Sequence, residues 1–219
     1  MTVASAGSIA GMDNPLVTVV IPAYNAERTL VECLSSVCDQ QYRNIEIIVI
    51  DDGSTDDTAH IAQTYAESDG RVYVIHKSNA GPGAARNDGL RMAQGKYLQF
   101  VDADDVLEPS AIVTTVEIAE CTQADLVSFD FMLLSNGRAV SRSGAVPQAY
   151  PKVKQSSGVE CLRQIYSGHL GYFSWAFLYR LDTVHAFEME YPEDVHLLED
   201  MFMLNRLLRH DLNVAYCDK

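Results

Sequence analysis

The chain has 219 residues, which is enough for one large domain or two small ones with a sizeable core. Hydrophobic residues make up 47% and charged residues 21%, as in ordinary soluble globular proteins. The formal net charge of −14 argues against a nucleic acid partner, although a divalent cation can still mediate contact between an acidic protein and a nucleotide phosphate.

The two ends and the cysteines limit the cellular setting. Residues 1–15 lack a basic start and a long apolar stretch, so we expect a flexible leader and not a signal peptide, followed by one domain over 16–219. No apolar run approaches the roughly 20 residues that a membrane helix needs. The chain stops soon after a strand-like stretch, which leaves open whether a C-terminal extension is missing. An odd count of five cysteines without a Cys-x-x-Cys pair predicts reduced thiols in the cytoplasm, with neither a zinc site nor a disulfide framework.

Strands and helices alternate along the first hundred residues. Short apolar runs predict four buried strands, at Val17–Ile21, Ile45–Ile50, Arg71–Ile75 and Tyr97–Val101. Between them, helices are predicted over residues 30–38, after Asp56-Asp57, and from the glycine-rich turn 79–83 to near Gly95. The alternation predicts an α/β fold with a mostly parallel central sheet flanked by helices.

The pattern is less regular beyond residue 109. The sequence predicts helices at Ser110–Glu120, Gly158–Tyr166 and Glu199–Arg209, and strands at Asp125–Leu134 and Trp175–Tyr179. Residues 135–158 are rich in Ser, Gly, Pro and Ala, which indicates a hairpin or a mobile loop.

Polar clusters follow three of the predicted strands, at residues 22–25, 51–54 and 102–104. In open α/β sheets, ligands bind at the carboxyl ends of the strands. If the strands are parallel, the three clusters meet at one edge of the sheet. That edge is therefore the predicted ligand site.

Asp102 and Asp104 follow directly after the fourth predicted strand, and no basic residue stands beside them in the sequence. Two ionised carboxylates this close repel each other, and a divalent cation relieves the repulsion. Mg²⁺ and Mn²⁺ bind through one or two carboxylates together with substrate phosphates. The alternative is a solvated acidic turn that caps the next helix.

Asp52 and Arg86 each allow a ligand role and a structural one. Asp52 could accept the N–H of a uracil ring on which Tyr24 stacks, or it could belong to a plain turn with a helix cap. Arg86 could contact phosphate or pair with a surface carboxylate.

The last predicted helix begins with Glu199-Asp200, which is either a helix cap or the source of a general base for an acceptor hydroxyl. His196 is interpreted as a surface histidine, because further zinc ligands are lacking. Trp175, the single tryptophan, suits core packing or the wall of a sugar pocket.

With these residues in view, the chain resembles a family 2 glycosyltransferase of the GT-A fold. The resemblance rests on VTVVIPAYNAERTL, EIIVIDDGSTDDT, NAGPGAARNDGLRMAQGKYLQFVDADD, and FSWAFLYRLD followed by YPEDVHLLEDMFM. It covers about residues 16 to 218. The order and spacing of these motifs match the family as well as their content.

The resemblance implies a role for each matching residue. On the donor side it places Pro22 and Tyr24 against the nucleobase and Asp52 on the uracil N–H. It also places Asn79, Arg86 and Asp102 in contact with the nucleotide sugar.

On the catalytic side, the resemblance makes Asp102 and Asp104 the Asp-x-Asp motif, with Asp104 the more direct ligand of Mn²⁺ or Mg²⁺. It makes Asp200 the catalytic base and gives Glu199 the task of positioning the acceptor or donor sugar. Trp175 is expected in the acceptor pocket.

The implied reaction is metal-assisted transfer, with inversion, from a nucleotide-diphosphate sugar, with UDP as the expected carrier, to a hydroxyl of a saccharide or lipid-linked acceptor. Such an enzyme would serve cell-surface polysaccharide biosynthesis in the cytoplasm or at the inner face of the membrane. Neither the sugar, the acceptor nor the oligomeric state follows from the sequence.

Three other function classes fit the sequence less well. A nucleotidyltransferase would carry a glycine-rich basic loop after the first strand, where this chain has Pro22-Ala23-Tyr24-Asn25. A non-catalytic nucleotide-sugar-binding module would not need all of the carboxylates. A dinucleotide-binding dehydrogenase would need a spaced glycine fingerprint after the first strand.

Overall fold

The structure, a computed structural model, describes residues 14–135, 138–140, 155–193, 195 and 197–217. Most of the predicted leader, most of the 135–158 segment and His196 therefore lie outside the described residues. In the described part of the chain, no helix has both the length and the apolar character that a membrane span requires.

The N-terminal half is a parallel β-α-β arrangement. Its strands are β1 (Val17–Ala23), β2 (Ile45–Asp51), β3 (Val72–His76) and β4 (Tyr97–Phe100), and its helices are α1 (Leu30–Cys38), α2 (Thr58–Ser68) and α3 (Pro82–Met92). Strand β1 lies between β2 and β4, so that Val17 is opposite both Ile45 and Tyr97. Nearly every residue of β1 and β4 is buried, as expected of strands covered by helices on both faces.

The C-terminal half extends the same sheet. It comprises α4 (Ala111–Thr122), β5 (Leu126–Ser128), β6 (Leu133–Ser135), β7 (Arg138–Val140), β8 (Gln155–Ser157), α5 (Gly158–Tyr166), a 3₁₀ turn (Ser174–Ala176), β9 (Phe177–Arg180), α6 (Leu181–Ala186), α7 (Glu199–Leu208) and β10 (Asn213–Tyr216). The eight strands lie in the order β3-β2-β1-β4-β9-β5-β10-β8, and β6 pairs with β7 separately.

The predicted mostly parallel sheet flanked by helices is confirmed. Strands β1 to β4 are parallel, and so are β5 and β10, whereas β9 runs antiparallel between β4 and β5 and joins the two halves. Strand β8 is antiparallel at the edge, beside β10.

The single strand predicted over Asp125–Leu134 is wrong. Strand β5 ends at Ser128, and the chain leaves the sheet before β6 begins at Leu133. Beyond Ser128 the half-buried ring of Phe131 packs on the rings of Phe173 and Trp175, so this part of the stretch makes aromatic contacts instead of pairing as a strand. The predicted strand start at Trp175 is also displaced, because residues 174–176 form the 3₁₀ turn.

Hydrophobic cores lie on both faces of the sheet. Alternate residues of β1 point to opposite faces, so that Val19 packs in one core and Val20 in the other. Helix α3 approaches β1 so closely that a Cβ on Gly89 would overlap the side chain of Val20. Glycine at this position therefore allows the close approach that carries Arg86 over the sheet.

Candidate functional site

The ends of β1 and β2 are joined by hydrogen bonds. The amide of Asp52 donates to the carbonyl of Ala23 at 2.9 Å, the amide of Asn25 donates to Ser54 Oγ at 3.0 Å, and the amide of Thr55 donates to Asn25 Oδ1 at 2.8 Å. Asn25 is in the left-handed region with φ of 48°, which asparagine tolerates better than most residues. Two of the three predicted polar clusters thus form one connected surface.

Asp52 holds the glycine-rich turn before α3. Its Oδ1 accepts the amide hydrogen of Ala80 at 2.9 Å, and its Oδ2 accepts that of Gly81 at 2.8 Å. Lys77 Nζ lies 3.9 Å from Oδ1, and the carboxylate is almost fully buried. Each carboxylate oxygen has two lone pairs, so these bonds leave capacity for a further donor. A purely local turn does not account for these contacts, because Asp52 connects the 51–54 segment to the turn before α3.

Three further residues predicted to bind the donor differ in exposure. Tyr24 is 52% exposed, Asn79 is exposed and Pro22 is half-buried within β1. At Gly53, which has φ of 75°, a Cβ would come within 2.7 Å of the Asn79 amide nitrogen, so the 51–54 and 79–81 segments pack closely here. The exposed ring of Tyr24 is free to stack on a nucleobase. The donor-binding roles of Tyr24, Pro22 and Asn79 stay predictions.

Three carboxylates gather after β4. One oxygen from each of Asp102, Asp104 and Asp105 lies within 4.8 Å of the others. Burial, followed by repulsion from Asp102 and Asp104, raises the pKa of Asp105 to about 6. An all-oxygen donor set of this kind suits Mg²⁺ or Mn²⁺. The residues therefore fit a divalent cation, and Asp105 is a member that the sequence analysis did not include.

Arg86 is the centre of a buried charge cluster. Its Nη2 donates to Asp102 Oδ1 at 3.0 Å, its Nη1 donates to Glu199 Oε1 at 3.0 Å, and Nη1 lies 3.5 Å from Asp200 Oδ1. Its guanidinium carbon lies 5.4 Å from the centre of the Tyr191 ring. Arg86 therefore pairs with carboxylates of the candidate site and not with surface ones, while its contact with the donor stays a prediction.

The charges in this cluster shift one another's pKa values. Burial by itself would lower the pKa of Arg86, but Tyr191 and the carboxylates of Asp102 and Asp200 outweigh it and raise that pKa. Burial also raises the pKa of Asp102, and the nearby guanidinium only partly opposes this. Buried charges of this kind are stable only when they are paired, so the cluster behaves as a unit.

Glu199 and Asp200 begin α7 but do not cap it. The capping position is Leu198, which has φ of 67° and no side-chain cap hydrogen bond. Asp200 instead accepts hydrogen bonds from Ser174, at Oδ1 from the hydroxyl (2.7 Å) and at Oδ2 from the amide (3.1 Å). The capping alternative is therefore not supported, and both carboxylates face the Arg86 cluster.

Trp175 lies next to Ser174 in a group of aromatic rings, where it stacks on Phe173 and meets Phe131 edge-on. Its ring is 5.0 Å from that of Phe173 and 4.7 Å from that of Phe131, and Phe173 stacks in turn on Tyr172 at 5.1 Å. Trp175 is half-buried and packs against the core of the C-terminal half. Core packing is thus observed, and a place in the acceptor pocket stays a prediction.

Ser174 and Asn87 are further site residues that the sequence analysis did not identify. Asn87 Nδ2 donates to the carbonyl of Tyr191 at 3.0 Å, and Asn87 Oδ1 accepts the Tyr191 amide hydrogen at 2.8 Å. This pair fastens the segment before α7 to α3. No local signal could have revealed either residue, since the partners are 26 and 104 residues apart in the chain.

This geometry occurs in a chain that is similar to several known proteins. The model of the family "Glycosyl transferase family 2" matches residues 18–177. The uncharacterized glycosyltransferase EpsJ of Bacillus subtilis (strain 168) is 34% identical over 85% of this chain and 54% of its own length. The putative glycosyltransferase EpsH of the same organism is 31% identical over 94% of this chain and 59% of its own length. The chain thus spans little more than half of these relatives.

Solved structures share the fold. Residues 1–349 of S. aureus TarS superpose with a TM-score of 0.77 at 25% identity, over 93% of this chain and 58% of that one. The same protein in complex with UDP-GlcNAc gives 0.68 at 24% identity, over 93% and 59%. The mannosyltransferase PcManGT from Pyrobaculum calidifontis, in complex with GDP-Man and Mn²⁺, gives 0.65 at 18% identity, over 94% and 55%.

The sheet with its flanking helices is therefore the GT-A fold of these glycosyltransferase structures. The family model covers well over half of the chain, and its match agrees with the curated relatives. This chain belongs to glycosyl transferase family 2.

Proposed function

We propose that this protein transfers a sugar from a nucleotide-diphosphate donor to a hydroxyl of an acceptor. The proposal rests on one observation: Arg86 ties the acidic group after β4 to the carboxylates that begin α7, while Asp52 anchors the turn that opens the same helix, α3. Helix α3 and the turn before it thus contact the proposed base-binding residue, the proposed cation ligands and the proposed general base.

The donor is proposed to be a UDP-sugar. Tyr24 and Pro22 would contact the uracil ring, Asp52 would accept its N–H, and Asn79 would contact the donor beside them. The TarS complex with UDP-GlcNAc supports a uridine carrier, whereas the GDP-Man complex of PcManGT keeps a guanosine carrier as the comparison to test.

Asp104 and Asp102, together with Asp105, would hold Mn²⁺ or Mg²⁺. The bound cation would supply Lewis-acid stabilisation of the negative charge on the departing diphosphate. The Mn²⁺ in the PcManGT structure and the oxygen donor set of the three aspartates support this assignment. Arg86 would help to hold the carboxylate of Asp102 in place through its hydrogen bond at 3.0 Å.

Asp200 is the proposed general base. It would accept the proton of the acceptor hydroxyl as that oxygen attacks the anomeric carbon. The bond from this carbon to the diphosphate oxygen breaks at the same time, and its electron pair leaves with the nucleoside diphosphate. A single in-line displacement of this kind inverts the anomeric configuration. Glu199 would position the sugar, and Trp175 would line the pocket of a saccharide or lipid-linked acceptor.

The first experiment is a thermal-shift screen of UDP-, GDP- and dTDP-sugars with Mn²⁺ and with EDTA. A donor at 100 times its Kd stabilises the folded state by about 2.7 kcal/mol, which corresponds to roughly 5–10 °C for a chain of this size. We expect the shift with a UDP-sugar and Mn²⁺, and its loss in Asp104→Ala. Glu117→Gln, which changes an exposed carboxylate on α4, is the matched control.

The second experiment separates binding from chemistry. Asp200→Asn should keep the metal-dependent donor shift and lose transfer to an acceptor as well as slow donor hydrolysis. Full turnover by Asp200→Asn would contradict the assigned base. The absence of a shift with every sugar nucleotide would contradict the function itself.

A further inference from the structure

Building on the proposed function, we infer that Ser174 is a positioning residue, which holds the carboxylate of Asp200 in the orientation that a general base needs. Ser174 is fully buried and would not touch donor or acceptor itself. It would act only through Asp200.

The contact between the two residues is bidentate. The Ser174 hydroxyl donates to Asp200 Oδ1 at 2.7 Å, and the Ser174 amide donates to Oδ2 at 3.1 Å. Two donors from one residue to the two oxygens of a carboxylate restrain its rotation about the bond to Cβ. Because each oxygen keeps a second lone pair, the carboxylate can still accept a proton.

Ser174 is itself firmly placed. Its carbonyl accepts a hydrogen bond from Tyr179 Oη at 2.7 Å, and Tyr179 is fully buried in β9. The carbonyl of the next residue, Trp175, accepts a hydrogen bond from Gln99 Nε2 of β4 at 2.8 Å. The 3₁₀ turn is therefore bonded to two central strands of the sheet, so its donors form a rigid support for Asp200.

Arg86 makes this support necessary. Its Nη1 lies 3.0 Å from Glu199 Oε1 and 3.5 Å from Asp200 Oδ1, so the guanidinium hydrogen-bonds the first carboxylate and forms only a longer ion pair with the second. Without the Ser174 hydroxyl, Asp200 Oδ1 would be free to turn towards Nη1 and shorten this ion pair to hydrogen-bond distance. An oxygen bound to a guanidinium is a poorer proton acceptor, and its orientation towards an acceptor hydroxyl would be lost.

The test is Ser174→Ala, which deletes one donor and keeps the amide. Loss of one hydrogen bond to a charged group predicts a fall in kcat of about 10- to 100-fold. The KM for the donor and the donor-induced thermal shift should stay at wild-type values. Thr115→Val is the matched control, because it removes a buried hydroxyl that bonds only carbonyls of its own helix, α4, and it should leave kcat unchanged.

A double-mutant cycle shows whether Ser174 acts through Asp200. In an Asp200→Asn background, Ser174→Ala should cause no further loss of the residual turnover, since the base is already gone. Equal fractional losses in both backgrounds would overturn the inference and indicate a general structural role. If Ser174→Ala fails to give the native circular dichroism spectrum, Ser174→Cys, a weaker donor, replaces it with the same expectations.

The outcomes also separate this inference from the proposed function. An inactive Asp200→Asn with a fully active Ser174→Ala refutes the role of Ser174 alone. A fully active Asp200→Asn refutes Asp200 as the base and the role of Ser174 with it. A change confined to the donor KM in Ser174→Ala would also overturn the positioning role.

Discussion

Replacing Arg86 by methionine tests the charge cluster at the centre of the site. Methionine keeps much of the apolar volume of the arginine stem and removes the charge. Asp102, Glu199 and Asp200 would then face one another without a cation, in a place where Arg86 is only 6% exposed and the carboxylates 14–29%. We expect a folded but clearly destabilised protein.

The magnitude follows from the distances. At an effective dielectric constant of about 20, one opposite pair at 3.0 Å contributes about 5–6 kcal/mol of Coulomb energy, most of which offsets the desolvation of the buried ions. Removing one partner of such a cluster lowers the free energy of unfolding by about 3–5 kcal/mol. Because the carboxylates are partly exposed and can be rehydrated, we expect about 3 kcal/mol, or a fall in Tm of roughly 6–12 °C.

The assay is urea unfolding at pH 7 in EDTA, followed by circular dichroism. Added salt should recover part of the lost stability, since it screens the repulsion that remains. Adding Glu199→Gln to Arg86→Met should recover more of it, because one of the facing charges is removed. Arg163→Met, at an exposed pair with Glu160 on α5, is the control and should leave the midpoint unchanged. An Arg86→Met protein as stable as the wild type, with no dependence on salt, would refute the reasoning.

Two further predictions concern packing and thiol chemistry. Gly89→Ala should lower the free energy of unfolding by about 1–3 kcal/mol, because the new Cβ overlaps the side chain of Val20 and α3 must shift. Gly70→Ala is the control, since its Cβ meets open space and the free energy of unfolding should change little. Equal urea midpoints for both variants would contradict the close approach of α3 to β1. With Ellman's reagent at pH 8, one thiol of the native protein should react rapidly, that of the exposed Cys121, and all five should react in urea. Burial raises the pKa of the Cys33 and Cys161 thiols to about 12 and that of the half-buried Cys38 thiol to about 11, so these react slowly or not at all, and Cys217 is buried. Rapid reaction of three or more native thiols would contradict this packing.

The sequence by itself predicted the strands and helices of the N-terminal half well. Buried parallel strands are short, continuous apolar runs, and the turn residues that follow them are polar, so both signals are local. The strand at Ile45–Ile50 and the helix over residues 30–38 needed no tertiary information. The same logic led to Asp52, Asp102 and Asp104, since carboxylates directly after such strands lie at the ligand-binding edge of the sheet.

Local sequence patterns predicted the strands less well in the C-terminal half, where tertiary contacts determine the ends and the neighbours of the strands. The stretch from Asp125 to Leu134 has the composition of one strand, yet β5 ends at Ser128, β6 begins at Leu133, and Phe131 between them packs on Trp175. The antiparallel β9 was predicted as a strand, but its position between β4 and β5 depends on pairings that no local pattern encodes.

Only the tertiary structure shows which residues form the charge cluster around Arg86. Arg86 and Glu199 are 113 residues apart in the chain, and their 3.0 Å contact exists only because α3 packs directly on β1 and α7 begins beside it. The same holds for the Ser174 donors on Asp200 and for Asp105 as a third carboxylate near Asp102. The sequence identifies a residue whose role depends on its position directly after a strand, because that signal is local. Contacts between distant segments form only when burial and shape complementarity pack the whole sheet and its helices together.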